Sequence, residues 1–386
     1  MYRRMYLMIV VLALAACTGP GAQPFEPRAH LSAVEAAGGT NSAGFARATA
    51  PRPFVFPRDH GPHPEYATEW WYYTGNLDTE DGQHFGFQLT FFRSALAPAA
   101  PTRESAWATT NIYMAHFTVT DVAAGQFHAF DRFSRGAAGL AGATSEPYRV
   151  WLEDWGAEGD GPAGMAMRLR AAQDGVAIDL ALTNERPPLL QGDHGLSQKS
   201  ATPGNASYYY SLTSMATTGA IEAGGRRYAV RGLSWMDHEF GTSALDPGAA
   251  GWDWFGLQLG DGRALSYARI RNTDGSTNFA FGALAGPDGS TRDLSASEFI
   301  VEPLGVWRSP RSGAEYPSGW RLRVPSAELD LQLTPWLADQ ELPVALVYWE
   351  GAVRIEGSAG GKTVGGNGYV ELTGYIQRTQ EEPRVR

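Results

Sequence analysis

Short runs in which apolar residues recur at every second position, broken by glycine, asparagine and aspartate, fill most of the chain and predict strands rather than helices. Residues 69–77 and 84–92 flank the turn segment 78–83 as a strand–turn–strand unit, and in the second arm Phe85, Phe87, Leu89 and Phe91 share one face. Residues 111–120 form a further strand that is largely apolar on both sides, with Tyr113, Ala115, Phe117 and Val119 on one face and Ile112, Met114 and His116 on the other. Such a strand separates a core from a lined cavity or a second sheet. Amphipathic runs at helical spacing are scarce, so the expected class is all-β.

Two echoes suggest duplication. Phe85-Gly86-Phe87-Gln88-Leu89 returns as Phe255-Gly256-Leu257-Gln258-Leu259, each after a tryptophan pair, Trp70 with Trp71 and Trp252 with Trp254. Near the end of each half a tyrosine-rich strand leads through a glycine turn to a closing strand, from Tyr208-Tyr209-Tyr210 to Trp235 and from Tyr348-Trp349 to Tyr375. Two related antiparallel barrels or sandwiches, 51–244 and 245–380, are the simplest organisation consistent with both, and about 335 residues are too many for one typical core.

The first residues read differently. Arg3 and Arg4 precede an apolar run from Met5 to Ala16, and Leu14-Ala15-Ala16-Cys17 ends on the only cysteine of the chain. This is the pattern of a lipoprotein signal peptide over 1–16, too short to span a bilayer, with Cys17 as the acylated residue and an Ala/Gly/Pro/Ser-rich linker over 17–50. The expected address is the bacterial cell envelope, lipid-anchored at the outer membrane and facing the periplasm, with the membrane as a partner through the anchor. Loss of residues 1–16 removes two arginines and no acid, which moves the formal charge from −10 to −12 and disfavours nucleic acid as a partner.

The densest chemistry is Ser234-Trp235-Met236-Asp237-His238-Glu239-Phe240-Gly241. On a strand Asp237 and Glu239 point to one side and His238 to the other. One reading makes Asp237 or Glu239 a proton donor raised by burial among aromatics, with His238 orienting it; the other is an inter-domain polar network. Glu69 and Glu350 stand beside aromatic runs and serve equally as acids or as salt-bridge partners, and His116 reads as a satisfied core histidine. There is no Gly-x-Ser-x-Gly elbow, His-Glu-x-x-His, Cys-x-x-Cys, Walker loop or dinucleotide fingerprint, so no metal, redox or nucleotide cofactor is indicated, although His116, His194 and His238 are free to converge in space.

The segments His63-Pro64-Glu65-Tyr66 with Glu69-Trp70-Trp71-Tyr72, Met114-Ala115-His116-Phe117, Asn205–Tyr210, Ser234–Gly241, Gly251–Trp254 and Tyr348–Gly351 together resemble the carotenoid 1,2-hydratase family in its broad sense, and most closely its secreted AttH-like branch. The resemblance implies two tandem lipocalin-like antiparallel β-barrels packed together. It also implies acid-catalysed addition of water to a double bond of a hydrophobic isoprenoid or polyene, through a carbocation held by aromatic faces. His238 and Phe240 match residues implicated in the hydratases and Tyr267 matches their tyrosine, whereas their acid position falls on Arg269, a very poor general acid. Asp237, Glu239 or Glu69 would then substitute as the acid, with Trp70, Trp71, His116, Trp235, Trp252, Trp254 and Trp349 lining the ligand site. A non-catalytic carrier or chaperone for a hydrophobic lipid ligand, with an envelope ABC transporter as candidate partner, is the alternative, and cyclising chemistry of the kind in fungal relatives stays open.

Overall fold

The computed structural model describes residues 43–99, 104–159, 165–202, 204–242, 245–246 and 248–376. Residues 1–16, expected to be a signal peptide, and Cys17 lie outside the described residues, as does most of the expected linker. The last part of that linker segment is tied down, because Ala48 is buried with Tyr66, Tyr208 and Phe240, and Tyr208 donates to the Ala50 carbonyl at 2.8 Å. Among the described residues no helix is long and apolar enough to cross a membrane.

The molecule is almost entirely antiparallel strand, arranged as two large curled sheets, a barrel and a half-barrel. In the first, β1 (Thr68–Asp78), β2 (His84–Ala95), β3 (Asn111–Asp121) and β4 (Gln126–Arg135) form a meander. The other side of β1 pairs with Arg226–Gly241, which pairs in turn with Ala206–Ala223 and then Val176–Asn184. The second sheet repeats the order: Ala249–Leu259, Ala264–Asn272, Thr277–Ala285 and Thr291–Ser295 run outward on one side, with Lys362–Leu372, Tyr348–Ala359 and Leu329–Pro335 on the other.

The tyrosine-rich echo therefore marks equivalent hairpins. The five-residue echo does not: Phe85–Leu89 lies on β2, whereas Phe255–Leu259 lies on Ala249–Leu259, the counterpart of β1. Alternation of large apolar residues produced that likeness, because any half-buried strand in a sheet of this kind draws on the same residue types.

Each sheet encloses its own core, built from Phe85, Phe87, Leu89 and Phe91 among others in the first and Phe255, Leu257, Leu331 and Trp349 among others in the second. A third apolar cluster contains Tyr72 and Trp235 from the first sheet with Trp254, Ala268, Ala352 and Tyr369 from the second, so the outer faces of the two sheets bury each other. Small residues let the backbones approach. A Cβ on Gly86 would stand 2.6 Å from the Ala352 Cβ, so this contact admits only glycine.

Candidate active site

The alternation read from the sequence divides the Asp-His-Glu triplet between two environments. Trp235, Asp237 and Glu239 face the junction of the sheets, whereas Met236, His238 and Phe240 face the inside of the first sheet or its end.

At the junction lies a cavity of about 140 Å³ walled by aromatic side chains, among them Trp70, Trp252, Trp254, Tyr209 and Tyr348. Four acids meet its lining or stand directly behind it. Asp237, 3% exposed, accepts from Ser211 Oγ at 2.5 Å and Trp235 Nε1 at 2.7 Å on one oxygen and from the Tyr209 hydroxyl at 2.7 Å on the other. Tyr209 in turn accepts from Trp254 Nε1 at 3.1 Å. Burial outweighs these donors and, helped by the charge of Glu239, raises the Asp237 carboxyl to about 7. Glu371 is half-buried, lines the cavity and accepts from Trp252 Nε1 at 2.8 Å. Burial, with the Asp237 and Glu239 charges beside it, raises Glu371 to about 8. Glu350 sits opposite Glu371 on the adjacent strand, accepts from the Tyr72 hydroxyl at 3.0 Å, and leaves its other oxygen without a partner among the described residues. Burial and the nearby Glu371 hold Glu350 neutral, well above the ordinary carboxyl range. Glu239 is paired instead with Lys199 at 2.6 Å.

On the opposite face of the same strands Glu69 organises a second, closed network. Its Oε1 receives His238 Nε2 at 3.0 Å and His63 Nδ1 at 2.9 Å, and its Oε2 receives Arg93 Nε at 3.0 Å. Arg93 also donates to the His63 and Tyr66 carbonyls, both at 2.9 Å, and Phe240 stacks on the His63 ring with centroids 3.5 Å apart. Despite full burial these donors hold the Glu69 carboxyl far below its usual range. His63, Glu69 and His238 offer ligand atoms within 4.8 Å of one another, which is metal-ligand spacing. Every one of those atoms is already hydrogen-bonded and Arg93 adds a cation to the same carboxylate, so the group acts as a keystone that pins residues 59–63 beneath the sheet.

The cavity is built twice over. Register pairs Tyr72 with Asp237 in the first sheet and Trp254 with Glu371 in the second; Trp70 faces Phe92 as Trp252 faces Ile270. Ser211 is opposite Asp237 as Glu350 is opposite Glu371. Two cross-junction bonds obey the same relation: Asn76 Nδ2 donates to the Gly368 carbonyl at 3.0 Å and Gln258 Nε2 to the Ser234 carbonyl at 3.0 Å. Each half thus supplies one tryptophan and one acid in corresponding places. The keystone has no such counterpart, since the places corresponding to Glu69 and His238 in the second sheet hold Gly251 and Leu372.

Of the residues anticipated from the sequence, Asp237, Glu239, Trp70, Trp252 and Trp254 line the cavity, and Trp235 stands behind it, donating to Asp237. The others do not come together there. Glu69, His238, Trp71 and Phe240 belong to the keystone side, where Trp71 stacks on His238 with centroids 5.0 Å apart. Tyr267 packs on Phe299 inside the second sheet, beside the Arg269–Asp253 ion pair, because it alternates with the cavity-lining Ala268 and Ile270. Trp349 lies in the second core, and its indole N–H donates to the Ala338 carbonyl. His116 is buried beneath the cavity and meets the Tyr348 hydroxyl at 2.8 Å, while His194 is exposed, so His116, His194 and His238 do not converge. The residue missed altogether is Glu371, in Gly368-Tyr369-Val370-Glu371-Leu372, where a lone acid in an otherwise apolar alternation was the available signal.

A family model for AttH-like proteins matches residues 47–375. The chain belongs to the AttH-like family. The crystal structure of an AttH from Nitrosomonas europaea is similar over 86% of this chain and 100% of its own, with 34% identity and a TM-score of 0.77. Kievitone hydratase from Nectria haematococca shares the fold, with a TM-score of 0.64 at 17% identity over 86% of this chain and 98% of its own. No curated protein sequence matches the chain. AttH-like architecture in this chain thus combines the all-β pair of curled sheets expected from its sequence with an aromatic cavity at their junction.

Proposed function

We propose that the junction cavity of this AttH-like protein adds water to, or removes it from, a carbon–carbon double bond of an apolar substrate. The observation that carries the reading is a pair of acids in corresponding places of one aromatic cavity, both raised by burial into the range around neutral pH, so that one can give a proton while the other accepts one. Glu371 transfers its proton to one alkene carbon, leaving a cation on the other that the faces of Trp70, Trp252 and Trp254 stabilise. Three of the acceptor positions of Asp237 are filled, leaving one for a water, whose proton passes to Asp237 as its oxygen bonds to the cation. Proton return from Asp237 to Glu371 resets the pair. A structure of similar fold bears the name of a hydratase, in agreement with this reading. The lipid anchor at Cys17 and the envelope address belong to the same proposal and rest on the pattern of residues 1–17.

The test is mass spectrometry of acyclic isoprenoids incubated with the protein in heavy-oxygen water. Labelled alcohol with the unmodified protein, lost in Glu371→Gln and Asp237→Asn, supports the reading. Ligand retained unlabelled by all three proteins overturns it in favour of a carrier.

A further inference from the structure

The chain contains only two lysines, Lys199 and Lys362, and Lys199 is the only cationic side chain among the described residues that line the cavity. Its position is built rather than incidental. The side chain is 14% exposed, and its ammonium reaches Glu239 Oε1 at 2.6 Å and Ser197 Oγ at 3.2 Å. Glu239 is in turn held by the Ser207 hydroxyl. An ammonium has three N–H donors, so two are engaged and one is left. The ammonium also lies 5.1 Å from the centroids of both the Tyr209 and Phe281 rings, two aromatic walls of the same cavity. The remaining donor has no partner among the described residues and belongs to a side chain that lines the cavity.

The charge on this side is already balanced. Glu239 neutralises Lys199, while Asp237 and Glu371 stand on the same walls, so an incoming carboxylate would meet acids without a free cation to offset them. A neutral oxygen meets no such penalty and satisfies the donor.

We propose that Lys199 is a specificity-determining residue of the cavity, and that it selects an otherwise apolar ligand bearing a neutral hydroxyl or carbonyl oxygen. The inference rests on the hydrophobic-ligand reading of the site and adds the polar handle by which the molecule is oriented relative to Glu371 and Asp237.

The experiment is titration of tryptophan fluorescence, to which Trp70, Trp252 and Trp254 report from the cavity, with three molecules of one skeleton: farnesol, farnesene and farnesoic acid. The unmodified protein is expected to bind the alcohol at least about ten-fold more tightly than the hydrocarbon and to bind the carboxylate more weakly than the alcohol, as one satisfied donor predicts. Lys199→Met alone leaves Glu239 buried and unpaired, so the decisive variant is Lys199→Met combined with Glu239→Gln, whose fold is checked by its unfolding midpoint. In that variant the advantage of alcohol over hydrocarbon should fall to within about two-fold. Equal binding of alcohol and hydrocarbon, tightest binding of the carboxylate, or an alcohol preference that survives in the double variant would each overturn the role of Lys199 while leaving the cavity reading intact. Failure of all three molecules to bind the unmodified protein would overturn both.

Discussion

Replacing Glu371 by glutamine keeps the shape of the side chain and an oxygen for the Trp252 N–H, and removes only the ability to ionise. Burial holds this carboxyl at about 8 against an ordinary 4.5. Below pH 4.5 it is protonated in the folded and the unfolded chain alike, and glutamine should change little. As pH rises from there the unfolded chain releases the proton freely while the folded chain retains it. The unmodified protein therefore loses stability through this group until the pH passes about 8. At 1.36 kcal/mol for each pH unit between the two values, the full loss is on the order of 5 kcal/mol. Urea unfolding of the protein and of Glu371→Gln, followed at pH 5 and pH 8.5, reads the difference directly. The variant should gain on the order of 2–4 kcal/mol relative to the unmodified protein between the two conditions. A gap that stays constant within about 0.5 kcal/mol would refute the argument, because it would mean that Glu371 ionises as easily in the fold as in the open chain.

Asp237→Asn removes one of the charges that hold Glu371 up, so the Glu371 midpoint should fall by on the order of one pH unit in a carboxyl titration; an unchanged midpoint would separate the two acids. Glu69→Gln strips the charge from beneath His63, His238 and Arg93 and should cost about 3–5 kcal/mol at pH 7. Because Glu69 is held far below its ordinary 4.5, that cost should shrink as pH falls below about 4.5, in unfolding curves of the two proteins. Gly86→Val should force the two sheets apart at Ala352 and lower the unfolding free energy by about 1–3 kcal/mol, with altered tryptophan fluorescence from the junction. Zinc and chelators should leave the unfolding midpoint where it is, since Arg93 and the hydrogen bonds already satisfy His63, Glu69 and His238; a midpoint raised by zinc would show that the keystone admits a metal.

How far the residues announced this arrangement depended on what kind of information each carried. Period-two alternation was local and explicit, so the strands 69–77, 84–92 and 111–120 appear within a few residues of their observed limits, and the opposite facings of Asp237 and His238 follow from the same rule. Motif likeness pointed to the right segments but could not tell the two faces of one strand apart in function. Glu69, His238 and Phe240 sit on the motif-bearing strands yet face the keystone, and Tyr267 faces the second core, because the neighbouring residue in each case took the cavity side. Glu371 was hidden for a different reason. Its meaning comes from standing, 134 residues further on, in the place that corresponds to Asp237, which only the registers of the two sheets make visible. Arg269, the position that argued against a hydratase, bears on nothing in the cavity: it is engaged by Asp253 on the far face of its strand.

The central claim is that two carboxyls in one aromatic cavity are both raised by burial into the range around neutral pH. Carbon-13 NMR of the protein labelled at the side-chain carboxyls of glutamate and aspartate, titrated from pH 4 to pH 10, measures this directly. The account predicts one glutamate resonance with its midpoint near 8, absent from Glu371→Gln, and one aspartate resonance near 7, absent from Asp237→Asn. Midpoints for both residues close to the ordinary 4.5 and 3.8 would contradict it.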